Sequence, residues 1–527
     1  MLRALTSPVR RGGMALSDPI PNMAPELLPE DEYNRTLLAN AHPRDWVNPT
    51  AAPGGYDLVV IGGGTAGLVT AAGAAGLGAR VALVERHLMG GDCLNHGCVP
   101  SKAMLRSARA VRELRMAPEF GVEAGGEPRV DFPRVMERMR RLRAEISPND
   151  SAARFRSLGV DLFLGQGSFL SADRIAVPGG ELRFRAAVIA TGARARIPEV
   201  RGLEADAFLT NERVFSLTQL PARLAVLGGG PIGCEMAQCF ARLGSRVTLF
   251  HAHAHLLERE DPEAAALLEG ALTRDGIDLR LGAAVARGER IAGGYRLAAG
   301  QGGEPGGEPF DAILAAVGRR PNIEGLGLEN AGVEFDARAG VRVNDWLRTT
   351  NPRVFACGDV CTGERFTHAA DAMARIVIQN ALFSGRRRMS CLVIPRCTYT
   401  DPELAQVGLT EKEALAAGVA VDRFVRPLCD VDRARLDGVG EGFVKVLVAR
   451  GRDRILGATI VAPHAGEMIS EVGVAIAGGV GLGRLASVIH PYPTVSDALR
   501  QCGDAYNRTR LSPWVRRLLQ RWLEWRC

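Results

Sequence analysis

Two stretches of this chain repeat one another, and the repeat leaves few folds open. Leu58-Val59-Val60-Ile61-Gly62-Gly63-Gly64, running on to Arg80-Val81-Ala82-Leu83-Val84-Glu85, recurs as Leu224-Ala225-Val226-Leu227-Gly228-Gly229-Gly230, running on to Arg246-Val247-Thr248-Leu249-Phe250-His251. Each copy reads as an apolar strand, a GxGxxG turn, a helix and a second apolar strand. One such turn is weak evidence. Two at matching offsets predict two dinucleotide-binding folds. The glycines allow the tight turn and the close approach of backbone to a pyrophosphate, and the helix N-terminus faces that negative charge. The uncharged run 58–79 is long enough for a bilayer span. Gly62, Gly63, Gly64, Gly67, Gly73, Gly76 and Gly78 inside it suit a strand, a turn and a close-packed helix instead.

Each nucleotide fold needs a closing strand. Val188-Ile189-Ala190-Thr191-Gly192-Ala193 and Ile313-Leu314-Ala315-Ala316-Val317-Gly318-Arg319-Arg320-Pro321 both read as buried strands ending in a turn. Thr191, Gly192 and Gly318 thereby become candidate cofactor contacts. Val354-Phe355-Ala356-Cys357-Gly358-Asp359-Val360 is another buried strand, followed by a helical run from about His368 to Leu382. His368 reads either as a cofactor contact or as a core residue. From Leu392 alternating strands mixed with helices indicate a separate α+β domain ending near Arg510. Residues 301–308 read as a flexible hairpin loop, and 32–38 as a short amphipathic piece within a Pro-rich arm.

The segment Gly90-Gly91-Asp92-Cys93-Leu94-Asn95-His96-Gly97-Cys98-Val99-Pro100-Ser101-Lys102 follows the first repeat directly. Pro100 reads as an early helix residue, so Cys93 and Cys98 lie before or at the start of a helix running through Ala110. Helix N-terminal polarity favours a thiolate. A dithiol just after a dinucleotide fingerprint points to electrons passing between a cofactor and a disulfide. The competing zinc clip needs four ligands, and the pair Cys357 and Cys361 flanks Asp359 with no further ligands beside it. Cys234 and Cys239 read as core. Eleven cysteines in 527 residues are too sparse for a disulfide scaffold and fit a reducing cytosol, so the expected location is cytoplasmic. A net charge of +6, few aromatics and no zinc-finger or RNP-type motif argue against nucleic-acid binding.

On these residues the chain resembles the pyridine nucleotide-disulfide oxidoreductases, the flavoproteins that include glutathione reductase, dihydrolipoyl dehydrogenase and mercuric reductase, over about residues 56–510. The resemblance implies an α/β fold in a homodimer. Its parts would be an N-terminal arm (1–54), a Rossmann-like FAD domain (55–203, resumed over 326–390), an inserted NAD(P) domain (204–325), a dimerisation domain (391–510) and a terminal helix (511–527). It implies that Gly62, Gly64 and Gly67 hold the FAD pyrophosphate, Glu85 the adenosine ribose and Asp359 the ribityl chain. Gly228, Gly230 and Gly233 would hold the nicotinamide dinucleotide. Cys98 would be the flavin-proximal thiol and Cys93 the interchange thiol that meets substrate. Lys102 would lie near the flavin, paired with Glu235.

The repeat also bears on the nicotinamide. His251 stands where Glu85 stands in the first copy. An acid there would accept from a ribose 2′-OH and favour NAD. His251, His253 and Arg259 bring no negative charge and suit a 2′-phosphate, so NADPH is expected, with NADH as the alternative.

Most relatives carry a His-Pro-Thr motif in the dimerisation domain, with an acid five residues after the His. Here the run is Ile489-His490-Pro491-Tyr492-Pro493-Thr494-Val495-Ser496-Asp497, which puts Tyr492 at the His position and Asp497 at the acid position. A phenol with a pKa of about 10 is a poor base at neutral pH. Mercuric reductase is similar in having tyrosine there, and a thiolate-bound soft metal needs sulfur ligands rather than an imidazole. The reading is therefore an NAD(P)H oxidoreductase whose Cys93–Cys98 couple passes electrons to a soft metal such as mercury(II), with that metal as substrate and no structural metal. The alternative is a dihydrolipoyl dehydrogenase or glutathione reductase type using His490. Two departures weaken the mercuric pattern: no cysteine precedes Cys93, and the tail ends in Cys527 alone rather than a vicinal pair. In that tail Trp514, Val515, Leu518, Leu519, Trp522 and Leu523 oppose Arg516, Arg517, Arg521 and Glu524. Such a basic amphipathic helix over 513–526 suits a partner or a membrane surface, with packing on its own dimer as the alternative. Arg3, Arg10 and Arg11, with no acid before Asp18, resemble a transit peptide, and Met14 or Met23 are alternative starts.

Overall fold

Strands covered on both faces need near-continuous apolar side chains, and the first repeat supplies them: Tyr56–Ile61 is buried save Asp57, and Val81–Glu85 is buried throughout. In the computed structural model, which describes residues 25–123, 125–300 and 306–526, these strands pair in parallel with Val60 opposite Leu83. They lie within a seven-stranded sheet ordered Val160–Leu164, Val81–Glu85, Tyr56–Ile61, Gly180–Ile189, Arg174–Val177, Ser168–Ser171. The seventh strand, Val354–Ala356, also pairs in parallel with Gly180–Ile189. The chain therefore leaves this sheet, builds the second repeat, and returns to it.

The second repeat forms its own five-stranded parallel sheet: Asp278–Arg280, Arg246–Phe250, Arg223–Leu227, Ala312–Ala315, Phe208–Leu209. The last part is an antiparallel sheet, Arg396–Thr398, Glu403–Gly408, Ile455–Ala462, Phe443–Ala449, Val421–Pro427. Ala465–Ala477 and Asp497–Thr509 contribute Ile469, Val472, Ala498 and Leu499 to its apolar core. The architecture is α/β, with two Rossmann-like folds and a C-terminal α+β unit.

The arm's amphipathic piece is the helix Glu32–Ala41, capped by Asp31, whose carboxylate accepts from the Asn34 N–H at 2.8 Å. Leu37, Leu38 and Ala41 enter the first core. The uncharged run resolves into the strand Tyr56–Ile61 and the helix Thr65–Gly76. Among the described residues no helix is long and apolar enough to cross a membrane. One expectation fails: Gly306, Gly307 and Glu308 are not loop but open a strand, Gly306–Phe310, paired with Gly294–Ala299. Pairing with a neighbouring strand overrides glycine's poor strand preference. The rest of that loop (301–305), the arginine-bearing stretch 1–24 and Cys527 lie outside the described residues.

Buried charge joins the second nucleotide fold to the C-terminal unit. Lys445, whose side chain is 1 % exposed, lies 2.8 Å from Asp261 and 2.9 Å from Glu263. Arg242 bridges Asp275 at 2.9 Å and Asp401 at 2.8 Å.

Candidate active site

The two glycine turns meet the same contacts. Gly62 has φ +112° and Gly228 +113°. A Cβ on Gly67 would lie 1.7 Å from the Gly62 carbonyl oxygen, and one on Gly233 would lie 1.9 Å from that of Gly228. The first and third glycines are thus demanded by the fold itself. The middle ones differ: a Cβ on Gly64 would meet only the Gly91 Cα at 3.6 Å, and one on Gly230 nothing within 4 Å. They open onto free space at the N-termini of Thr65–Gly76 and Pro231–Leu243, which have no side-chain cap. Uncapped N–H groups at a helix N-terminus favour a phosphate.

That space is one cleft of ≈ 1630 Å³. It brings together Gly62, Gly64, Glu85, Cys93, Cys98, Lys102, Thr191, Gly192, Gly230, Glu235, Arg259, Gly318 and Asp359. Gly67, Gly228, Gly233 and His251 stand behind its surface. Buried polar atoms without hydrogen-bond partners gather at the wall: Asn95 Oδ1, His96 Nδ1, Asn211 Oδ1, Arg319 Nε and Arg365 Nε. Each such atom costs about 1–3 kcal/mol unless something meets it. The cleft therefore fits a large polar ligand with phosphates and hydroxyls, as FAD is. Arg319 is held by Asp92 and the Ala193 carbonyl, with Asp359 at 3.6 Å.

Cys93 lies in the short helix Gly91–Asn95, and Cys98 opens the helix Cys98–Met116. Both are free thiols. The Cys93 thiol hydrogen-bonds the Cys98 sulfur, and the Thr367 hydroxyl lies 3.4 Å from it. The Cys93 bond foremost, with Thr367 and the Lys102 charge, brings the Cys98 thiol down to about 6 against the pull of burial. Cys93, as donor and in part by burial, is pushed up. One thiolate and one thiol result, with the thiolate at a helix N-terminus, where its charge is favoured.

Lys102 Nζ lies 2.7 Å from Glu235 Oε2, and the other carboxylate oxygen accepts the Tyr399 backbone N–H at 2.9 Å. The ammonium also lies 4.7 Å from the centre of the Tyr399 ring. Burial pushes the Tyr399 phenol up to about 12, so it stays protonated.

The selector position is copied with a change. Glu85 accepts from the Gly63 N–H at 2.5 Å and the His87 N–H at 2.6 Å. In the second fold His251 Nδ1 accepts from the Gly229 N–H at 3.1 Å, which leaves the proton of the neutral ring on Nε2. Glu258 Oε1 then lies 3.5 Å from His251 Nε2 and 3.3 Å from His253 Nε2. His251 and His253 bring no negative charge of their own, but Glu258, in the loop that follows, sets one beside both rings. Arg259 pairs with Glu364 at 2.7 Å rather than standing free.

Tyr492 and Asp497 do not line the cleft of their own chain. Tyr492 is 74 % exposed and donates to Asp432 at 3.0 Å, while Asp497 accepts from Arg500 and Gln501, each at 2.6 Å. The His490 side chain is 6 % exposed, with Nδ1 2.9 Å from the Val488 carbonyl and Nε2 2.8 Å from Glu471. Both partners are acceptors, and both ring nitrogens are engaged. Cys234, Cys239 and Cys357 are buried. His368 is not core; it is exposed at the cleft, 2.7 Å from the Pro395 carbonyl. Sequence reading missed Thr367, Tyr399, Arg319 and Glu258. Only Glu258 had a local signal, since it is an acid in the loop after the His-rich strand end.

Residues 56–374 match the family model described as pyridine nucleotide-disulphide oxidoreductase, and 394–502 match that family's dimerisation domain. A mercuric reductase from Streptomyces lividans is 37 % identical over 464 residues, 86 % of this chain and 96 % of the relative. A dihydrolipoyl dehydrogenase from Thermus scotoductus is 36 % identical over 462 residues, 86 % of this chain and 98 % of the relative. Among solved structures, the HOCl-induced flavoprotein disulfide reductase RclA from Escherichia coli has a TM-score of 0.75 at 29 % identity, covering 85 % of this chain and 99 % of its own. LpdA from Mycobacterium tuberculosis has 0.78 at 28 %, with the same coverage. With two nucleotide folds and a dithiol opening on one cleft, the chain belongs to the pyridine nucleotide-disulphide oxidoreductases.

Proposed function

We propose that this protein is a cytoplasmic homodimer that uses NAD(P)H and FAD to reduce a thiolate-bound soft metal such as mercury(II) through Cys93 and Cys98. The observation that carries the reading is the pair of groups at 490 and 492. A phenol stands where a thiol-specific relative keeps its imidazole, and the neighbouring His490 has both nitrogens engaged. Neither is suited to taking a proton from a dithiol substrate. The mercuric reductase relative supports the same acceptor.

FAD, when bound, supplies the two-electron relay between nicotinamide and disulfide. Gly62, Gly64 and Gly67 would hold its pyrophosphate, Glu85 the adenosine ribose and Asp359 the ribityl chain. Gly228, Gly230 and Gly233 would hold the nicotinamide dinucleotide, and Thr191, Gly192 and Gly318, which line the same cleft, would be further cofactor contacts. In the reduced pair Cys98 is the standing thiolate and Cys93 keeps its proton until a metal displaces it, since only thiolates ligate soft metals. Lys102 holds positive charge beside the pair, fixed by Glu235. One NAD(P)H is oxidised for each metal(II) taken to the element, and Cys93 and Cys98 return to the disulfide. In the dimer Tyr492 and Asp497 would come to this site from the second copy.

For the nicotinamide, the charge at the second selector favours NADH over the expected NADPH. Glu258 would repel a 2′-phosphate and accept from a 2′-hydroxyl, and Arg259 is engaged by Glu364. Glu258→Gln should move the ratio of kcat/KM values toward NADPH, by up to about tenfold for a loss of about 1.4 kcal/mol. An unmoved ratio removes Glu258 from selection. The acceptor test is NAD(P)H consumption with mercury(II) in excess thiol, against lipoamide and glutathione disulfide. Turnover with mercury(II) alone is expected. No turnover with it, together with a lipoamide activity that collapses in His490→Ala, overturns the metal assignment.

A further inference from the structure

We propose that the terminal helix docks this protein onto an anionic lipid surface, whatever its electron acceptor. The helix Pro513–Arg526 has 14 residues, none of them buried, and none joins any of the five apolar cores. Trp514 is 66 % exposed, Trp522 50 % and Trp525 79 %. At about 100° per residue, Trp514, Val515, Leu518, Leu519, Trp522, Leu523 and Trp525 fill one half of the wheel. Arg516, Arg517, Gln520, Arg521 and Glu524 fill the other, and Arg526, in the last turn, falls within the apolar half with its guanidinium 5.8 Å from the centre of the Trp522 ring. A continuous apolar face left in water marks an interaction site.

Charge decides what covers it. The helix holds Arg516, Arg517, Arg521 and Arg526 against Glu524 alone. Among the described residues no ion pair engages any of the four arginines. Two copies of this helix face to face would set like charges beside one another, whereas lipid phosphates complement them. Its side chains also match the depth profile of a bilayer surface: leucines for the acyl boundary, tryptophans for the interface, and arginine stems that reach back to the headgroups. At 1.5 Å per residue the helix is about 21 Å long, shorter than the roughly 30 Å hydrocarbon core. It therefore lies in the plane of the surface. Ser512 precedes it, and the helix Asp497–Thr509 anchors that end in the C-terminal core through Leu499 and Cys502.

The test is flotation of the full-length holoenzyme with vesicles of phosphatidylcholine, with or without phosphatidylglycerol, at low and high salt. Flotation should need the anionic lipid and weaken with salt. Arg517→Gln with Arg521→Gln should cut partitioning by about 25-fold, roughly fivefold for each charge. Leu518→Glu with Trp522→Glu should abolish flotation and leave NAD(P)H diaphorase activity unchanged, since both positions are exposed. The proposal is overturned if the wild-type protein does not float, floats equally on phosphatidylcholine alone, or still floats with the two glutamates. It is also overturned if those glutamates lower the assembly mass without lipid, which assigns the face to a second copy of the chain.

Discussion

Removing the Cys93 sulfur should release the Cys98 thiol from its depressed value. In the reduced protein three groups lower the Cys98 thiol, the Cys93 hydrogen bond first, then the Thr367 hydroxyl, then the Lys102 charge, against burial and the Glu235 charge, which raise it. The balance takes it from 9.0 to about 6. At pH 7 that corresponds to about 90 % thiolate, against about 1 % for a thiol left at its ordinary value. Cys93→Ala deletes the largest contribution and should move the midpoint well back toward 9; Thr367→Val should move it less. The assay is ultraviolet thiolate absorbance of the reduced protein across pH, with the oxidised form, which has no thiol to titrate here, as the blank. A group with its folded pKa lowered stabilises above its unfolded value and loses that contribution as pH falls through the folded one. Reduced protein should therefore lose stability between about pH 9 and about pH 6 relative to the disulfide form. A reduced wild-type protein with no thiol titrating below pH 7, or a Cys93→Ala midpoint that stays at about 6, would refute this account of the site.

Gly67→Ala places a Cβ 1.7 Å from the Gly62 carbonyl and should yield protein depleted in flavin, read from the visible absorbance per chain. Gly233→Ala, at 1.9 Å from Gly228, should keep its flavin while KM for the nicotinamide rises by about tenfold or more; flavin loss there would assign the two folds the other way round. Lys445→Met leaves Asp261, itself 2 % exposed, without its cation, and should cost about 3–5 kcal/mol in denaturant unfolding.

The architecture was legible because its strongest constraints are local. A carbonyl 1.7 or 1.9 Å from a would-be Cβ excludes every residue but glycine, so the turn announces itself within six positions. Buried parallel strands need unbroken apolar runs, and both 188–189 and 354–356 fall on the first sheet in register. The hairpin at 306–308 was not legible, because its strand state depends on a partner rather than on its own glycines. Within the site, Cys93 and Cys98 were readable from spacing. Thr367, 269 positions from Cys98, was not, and neither was the 164-position reach from Tyr399 to Glu235. The engagement of His490 by Glu471 depends on where a helix 19 residues earlier packs. Periodicity says which face of that helix is apolar, not which polar neighbour its glutamate meets.

Glu235 ties these separate pieces together. Its carboxylate, 5 % exposed, sits on the dinucleotide helix Pro231–Leu243. One oxygen takes the Lys102 ammonium from the helix that begins at Cys98, and the other takes the Tyr399 N–H just beyond the strand Arg396–Thr398. One side chain therefore ties the dithiol helix, the second nucleotide fold and the C-terminal sheet together. An ionised carboxylate that far from water is tolerable only with its partners in place. Any shift of the nucleotide fold relative to the dithiol helix must break one of these bonds. Lys102 is therefore held where its charge lowers the Cys98 thiol, and the thiolate depends on domain packing as much as on its own helix terminus.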